Sequence, residues 1–240
     1  YDWNHVFADG AGTLGFLFIF SGTSGDLDGG NRLPSNWIAD FRRLYDFTEA
    51  GRNDLRPIVG GKNKLNFARR IDTLLANPLA SLPDGSIGGP DPTAIRHNLA
   101  FRNLTRARML QLASGQQMAA LLRARGATFT PITRAKILAG SGGASLASLN
   151  APQRDLFAAH TPLWFYILRE AEHAGGQLTG VGARIVAETF HRAMEASASS
   201  ILADPTWRPT LGPDADTFRM VDLLLFAFEG KEELLNPLGD

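Results

Sequence analysis

The chain has 240 residues, of which 44% are hydrophobic and 20% charged, and 24 Lys and Arg balance 24 Asp and Glu exactly enough to leave a formal net charge of zero. Such a length supports one large core or two small ones, and a neutral balance gives no bulk attraction to nucleic acid or an anionic membrane surface. There is no cysteine, so disulfides, thiolate nucleophiles and thiolate metal ligands are excluded.

Residues 1 to 34 read as largely irregular, with SGTSGDLDGG as a turn-rich loop after the apolar run FLFIF. That run is far shorter than the roughly 20 residues of a membrane-spanning helix, and no basic stretch precedes an apolar one as in a signal peptide. PSNWIADFRRLYDF reads as a helix capped by Ser35 or Asn36, with Trp37, Phe41 and Leu44 on one face. Leu65, Ala68, Ile71 and Leu75 mark a second helix, predicted to stop before Pro78. LPDGSIGGPDP, 82 to 92, reads as a loop, and the next helix is predicted from Thr93 to Leu112.

Ser114 and Gln117 form the S-x-x-Q of a capping box, starting a helix that ends at Gly126. Thr130-Pro131 and Thr161-Pro162 each signal a helix start, the second opening LWFYILREAEH before Gly175 and Gly176. Val181, Ile185, Val186, Phe190 and Met194 are assigned to the core face of a further helix, with Arg184, Glu188 and Arg192 as its salt-bridged outside. Asp222 is the expected cap of a last helix, DLLLFAFE. Strand signals are scarce and no domain boundary stands out. The expected fold class is all-α, with residues 1–240 as a single domain.

Polar residues interrupt the apolar stripe of the 93–112 helix. At about 100° per residue, Ile95, Leu99, Asn103, Arg106 and Leu110 fall within an arc of roughly 80°. In one reading Asn103 holds a loop carbonyl and Arg106 lays its stem on the core with its head in solvent. In the other, the pair faces a polar ligand, with Arg106 meeting a carboxylate or phosphate.

Seven segments, YDWN, FSGTSGD, LPSNWIADFRRLYDF, LNFARRID, RNLTRAR, TPLWFYILREAE and GARIVAETFHRAM, occur in this order. Together they resemble the bacterial branch of the animal-type haem peroxidases, the peroxidase–cyclooxygenase superfamily, over essentially the whole chain. The resemblance implies the C-terminal portion of that multihelical fold, with haem as cofactor and hydrogen peroxide oxidising an organic or halide donor. By the same resemblance Asn103 accepts a hydrogen bond from the ring N–H of the proximal histidine, and Arg106 lies near a haem propionate. The proximal histidine would fall just before YDWN, and the distal catalytic residues further upstream. The chain begins at Tyr1, so an N-terminal part of the same peroxidase, as a separate chain or a missing segment, is the expected partner. Neither nucleic acid nor membrane is expected. A haem-free, peroxidase-like helical scaffold or binding module is the rival expectation.

The five histidines carry no zinc-type spacing, and H-E-x-x-H, a phosphate-loop Lys-[ST] and G-x-S-x-G are all missing from the sequence. His5 is not where the family puts its axial ligand. His97 and Asn103 are assigned to different faces of one helix, His160 to a loop or cap, His173 to a helix end, and His191 to a surface pair with Glu188. Asp26 and Asp28 are more easily read as a solvated loop than as ligands of a hard cation.

Overall fold

A computed structural model describes residues 41–56, 70–75, 77–80, 82 and 94–235. Among them the chain is all-α: short and medium helices, and no strand beyond one isolated bridge between Ser114 and Pro162. The α-helices are α1 (Phe41–Leu44), α2 (Asn77–Ala80), α3 (Leu99–Met109), α4 (Gly115–Ala124), α5 (Arg134–Leu138), α6 (Ala151–Ala159), α7 (Leu163–His173), α8 (Gly180–Glu195) and α9 (Met220–Ala227). Two compact units emerge, one of residues 1–68 with 199–240, the other of residues 69–198. No helix of the described residues is long and apolar enough to cross a membrane.

In the first unit Phe47, Leu55, Val221, Leu224 and Leu235 form a small core, against which Phe41 and Phe228 pack with ring centroids 5.6 Å apart. Asp222 does cap α9, but from inside it: three residues into the helix, its carboxylate accepts the backbone N–H of Arg219 at 2.8 Å. This is the reciprocal half of a capping box rather than the N-cap position itself. The region of Trp37 and the SGTSGDLDGG loop, with Asp26, Asp28 and His5, lie outside the described residues.

The second unit is built around α7. Its core joins Ala119 and Leu122 of α4, Ile137 of α5, Ala158 of α6, Tyr166 of α7 and Val181 of α8. The capping box at α4 is present in full: Ser114 Oγ accepts from Gln117 N at 3.2 Å, and Gln117 Oε1 accepts from Ser114 N at 2.8 Å. α4 then closes at Gly126, whose φ of 89° suits a residue without Cβ. α6 starts with a second capping box, Asn150 with Gln153, an N-x-x-Q pattern not assigned to a helix above.

Four assignments need correction. The segment 70–75 is not helical; Ile71 N–H donates to Gly176 O at 2.9 Å, so its backbone is engaged by the end of α7 instead of by its own turns. Pro78 lies inside α2, in its first turn, where its missing N–H costs nothing. The 93–112 helix is interrupted: a 3₁₀ turn, Ala94–His97, precedes Asn98, whose side chain caps α3 by accepting Phe101 N at 3.0 Å. His97 and Asn103 are therefore on separate elements. After Thr130-Pro131 the helix is delayed to Arg134, because Thr133 supplies the cap, accepting Lys136 N at 3.3 Å.

The fifth correction concerns α8. Val181 is fully buried and Ile185 partly so, while Val186, Phe190 and Met194 are exposed. Helix geometry explains it: nine residues separate Val181 from Phe190, about 900°, which puts them on opposite sides. The charged stripe is as expected in part, with Arg184 paired to Glu188, but Arg192 and His191 both turn to Glu195.

Candidate functional site

α3 carries both residues singled out in the sequence. Its packed side is made of half-buried Ala100, Asn103, Leu104 and Ala107, whereas Phe101, Thr105, Arg106, Met109 and Leu110 are exposed. Asn103 and Arg106 thus straddle the edge of the packed face. Neither side chain has a hydrogen bond or ion pair among the described residues. The helix ends in a left-handed turn at Gln111, φ 51°, so that Leu112 N–H reaches back to Ala107 O at 3.0 Å.

Arg106 lines an open concavity of about 460 Å³ together with Arg96, Phe101, Arg102, Thr105, Met109 and Leu110. Its chemistry is mixed: cationic heads beside an aromatic ring, a thioether and an aliphatic side chain. Such a surface suits a flat apolar molecule bearing an anionic group. Asn103 does not line it. The structure therefore brings Arg106 to a cavity and sets Asn103 on the adjacent flank. A ligand touching both must lie across the stripe between them, where Leu99 is half-buried and Leu110 is 65% exposed.

The other dense group of polar side chains is the REAEH run that ends α7, residues 169 to 173. It was not singled out in the sequence. Arg169 is fully buried; it donates to Glu172 Oε1 at 2.8 Å and to Ala144 O at 2.5 Å, and its guanidinium lies 5.0 Å over the Phe165 ring. Glu172 also accepts from Thr73 Oγ1 at 2.6 Å, from Gly143 N at 3.2 Å and from Ser141 N. Burial alone would raise the Glu172 carboxyl, but Thr73, Ser141 and Arg169 together bring it down to about 2. Arg169 and Glu172 are engaged by protein at every polar atom except Arg169 Nε, so this pair binds the 139–144 loop and the 70–75 segment to α7.

The rings of His173 and His97 face backbone carbonyls. His173 Nε2 is 2.9 Å from Lys136 O and 3.0 Å from Ala139 O, at the end of α5. His97 Nδ1 is 2.5 Å from Leu82 O, and His160 is the C-cap residue of α6. No group of three or more His, Asp or Glu able to hold a metal ion occurs among the described residues. Between α4 and α8 runs a groove of about 1080 Å³, floored by Met118, Leu122 and Ile185 and rimmed by Arg125, Arg184 and Arg192. Comparison with family models, curated proteins and solved structures gives no match to this chain.

Proposed function

We propose that the chain supplies the proximal wall of a haem peroxidase, working with an N-terminal part that brings the axial histidine and the distal residues. The observation that carries this reading is Arg106. Its guanidinium has no partner among the described residues, in a concavity whose other walls include Phe101, Met109 and Leu110. These residues fit the edge of a porphyrin: a fixed cation for a propionate and apolar walls for the ring. The order of the seven sequence segments agrees with the same reading.

Bound haem would supply the redox chemistry, reduction of hydrogen peroxide and oxidation of an organic or halide donor. The Arg106 guanidinium would neutralise the carboxylate that must approach the apolar surface. The Asn103 carboxamide oxygen would accept the second ring N–H of the axial imidazole and so fix its orientation. A neutral acceptor withdraws less of that proton than a carboxylate would, which keeps the ligand less basic and the iron potential higher.

Two variants of the haem-loaded protein test this. Asn103→Asp adds charge to the acceptor and should lower the Fe(III)/Fe(II) potential in a spectroelectrochemical titration; an unchanged potential in folded, loaded protein overturns the role of Asn103. Arg106→Leu should weaken haem retention by about tenfold, or about 1.4 kcal/mol, between the values for exposed and buried pairs. Wild-type retention returns Arg106 to an ordinary surface residue. A haem-free helical scaffold is the second reading, favoured by the exposed Val186, Phe190 and Met194 of α8. Folded protein that shows no Soret band when offered haem would decide for it.

A further inference from the structure

α8 has an unusual N-terminus. Thr179 stands at its N-cap with extended backbone, yet its side chain makes no capping bond. The cap comes from another helix: Glu170 of α7 accepts from Gly182 N at 3.3 Å through Oε2, with the Val181 N–H also directed at the carboxylate. Glu170 is only 6% exposed, and its Oε1 has no partner among the described residues. Gly180, φ 43°, leaves room for that oxygen, since a Cβ there would lie 2.2 Å from it. A negative charge at a helix N-terminus is favourable, but a buried carboxylate with one idle oxygen is costly.

Among the described residues no cation relieves the charge. On α7, Arg169 is engaged by Glu172 and Ala144 O, and His173 by Lys136 O and Ala139 O. Tyr166, one turn before Glu170, donates no bond to it and accepts instead from Ile132 N. Lys136 and His173 line the same cavity of about 210 Å³ as Glu170, but neither pairs with it. The first turn of α8, Gly180 to Ala183, has no charged residue, and Arg184 beyond it pairs with Glu188.

We infer that Glu170 is a proton-operated cap: on mild acidification a solvent proton binds Oε1 while Oε2 keeps its bonds to α8, tightening the junction of α7 with α8. Burial raises the carboxyl above the ordinary glutamate value, outweighing the Gly182 and Val181 N–H groups that pull it down. The folded state then holds a proton that the unfolded chain has released. Stability from this group is therefore greatest at low pH and declines as pH rises through the raised value, remaining lower above it. The surface affected is the α4–α8 groove, since Ile185 and Arg192 on α8 form one of its walls. This inference does not depend on haem binding.

Carboxyl-carbon NMR of the intact, isotope-labelled chain, with Glu170 assigned through its backbone, reads the titration directly. A midpoint above 4.5 is expected, and one at or below 4.5 overturns the inference. Thermal melting from about pH 4 to about pH 8, which begins below the unfolded value, gives the second measurement. Relative to Glu170→Gln, wild type should lose stability as pH rises, tenfold in its folding equilibrium constant for each unit of elevation. Parallel curves for the two proteins would also overturn it. Should the variant not fold, the wild-type titration decides alone.

Discussion

Replacing Arg169 by Met removes the guanidinium but keeps an apolar stem of similar length. The perturbation is well defined, because the side chains of Arg169 and Glu172 are 0% and 2% exposed. The variant loses the 2.8 Å bond to Glu172, the bond to Ala144 O and the contact over Phe165. It leaves Glu172 charged and buried. Removing one partner of a buried pair costs about 3–5 kcal/mol. Four donors remain on Glu172, the hydroxyl and N–H of Thr73 and the N–H groups of Ser141 and Gly143, which argues for the lower end, about 3 kcal/mol. At about 2–4 °C per kcal/mol for a chain of this size, the melting temperature should fall by about 6–12 °C. Urea unfolding gives the free energy and calorimetry the temperature. The double variant Arg169→Met with Glu172→Gln, which buries no charge, should recover part of the loss and give a coupling energy above about 1 kcal/mol. A single-variant loss below about 1 kcal/mol, with an unchanged denaturant slope, would refute the argument that this pair holds the loop to α7.

Gly115→Ala should destabilise by about 1–3 kcal/mol, because an added Cβ would lie 2.0 Å from Cγ of the rigid, buried Tyr166 ring; a thermal melt within a few tenths of wild type would show that the ring moves aside. Glu172 predicts an acid limb: with its carboxyl lowered from 4.5 to about 2, its stabilisation is complete above 4.5 and is lost as pH falls through about 2. Acid titration of Glu172→Gln, followed by circular dichroism, should lack that part of the transition, and an identical acid midpoint would reject it.

The legible parts of the fold were those written within a few residues. The Ser114–Gln117 box depends only on local backbone donors and occurs where the spacing puts it, and α7 begins at Leu163, directly after the Thr161-Pro162 signal, with Pro162 at its N-cap. Asn150–Gln153 has the same logic and carried a usable signal. What local pattern does not carry is which tertiary neighbour claims a segment. Ile71 and Leu75 have helical spacing, yet Gly176 O takes the Ile71 N–H, and Thr73 reaches Glu172, 99 residues away. For the same reason REAEH looks like a solvated helix end: its charges are buried by the 139–144 loop, which arrives from outside the helix. α8 is a different case, since the 180° between Val181 and Phe190 is arithmetic available in the sequence. The two site residues were legible as polar interruptions of a stripe, but their division, one on the packed edge and one on the open side, follows from how α3 packs.

The contrast between α7 and α3 is the strongest argument about where a ligand belongs. A buried polar group in a folded protein is normally hydrogen-bonded, and on α7 Arg169, Glu172 and His173 each have a partner from a neighbouring loop or helix end, Arg169 Nε and Glu170 Oε1 being the exceptions on this helix. Such residues are spent on structure, and a ligand could reach them only by displacing backbone. On α3, half-buried Asn103 and exposed Arg106 have no side-chain partner among the described residues, and the large apolar side chains nearby, Met109 at 77% and Leu110 at 65% exposure, are equally uncovered. Scattered exposed apolar residues need no explanation, but an adjoining idle cation, idle carboxamide and bare apolar surface form one complementary set. A molecule that satisfies all three at once must present an anion, a hydrogen-bond donor and a broad apolar face. Under the proposed reading a haem propionate and an imidazole N–H would supply the anion and the donor and the porphyrin the apolar face, so α3, rather than the more densely charged α7, is the helix on which that proposal should be tested.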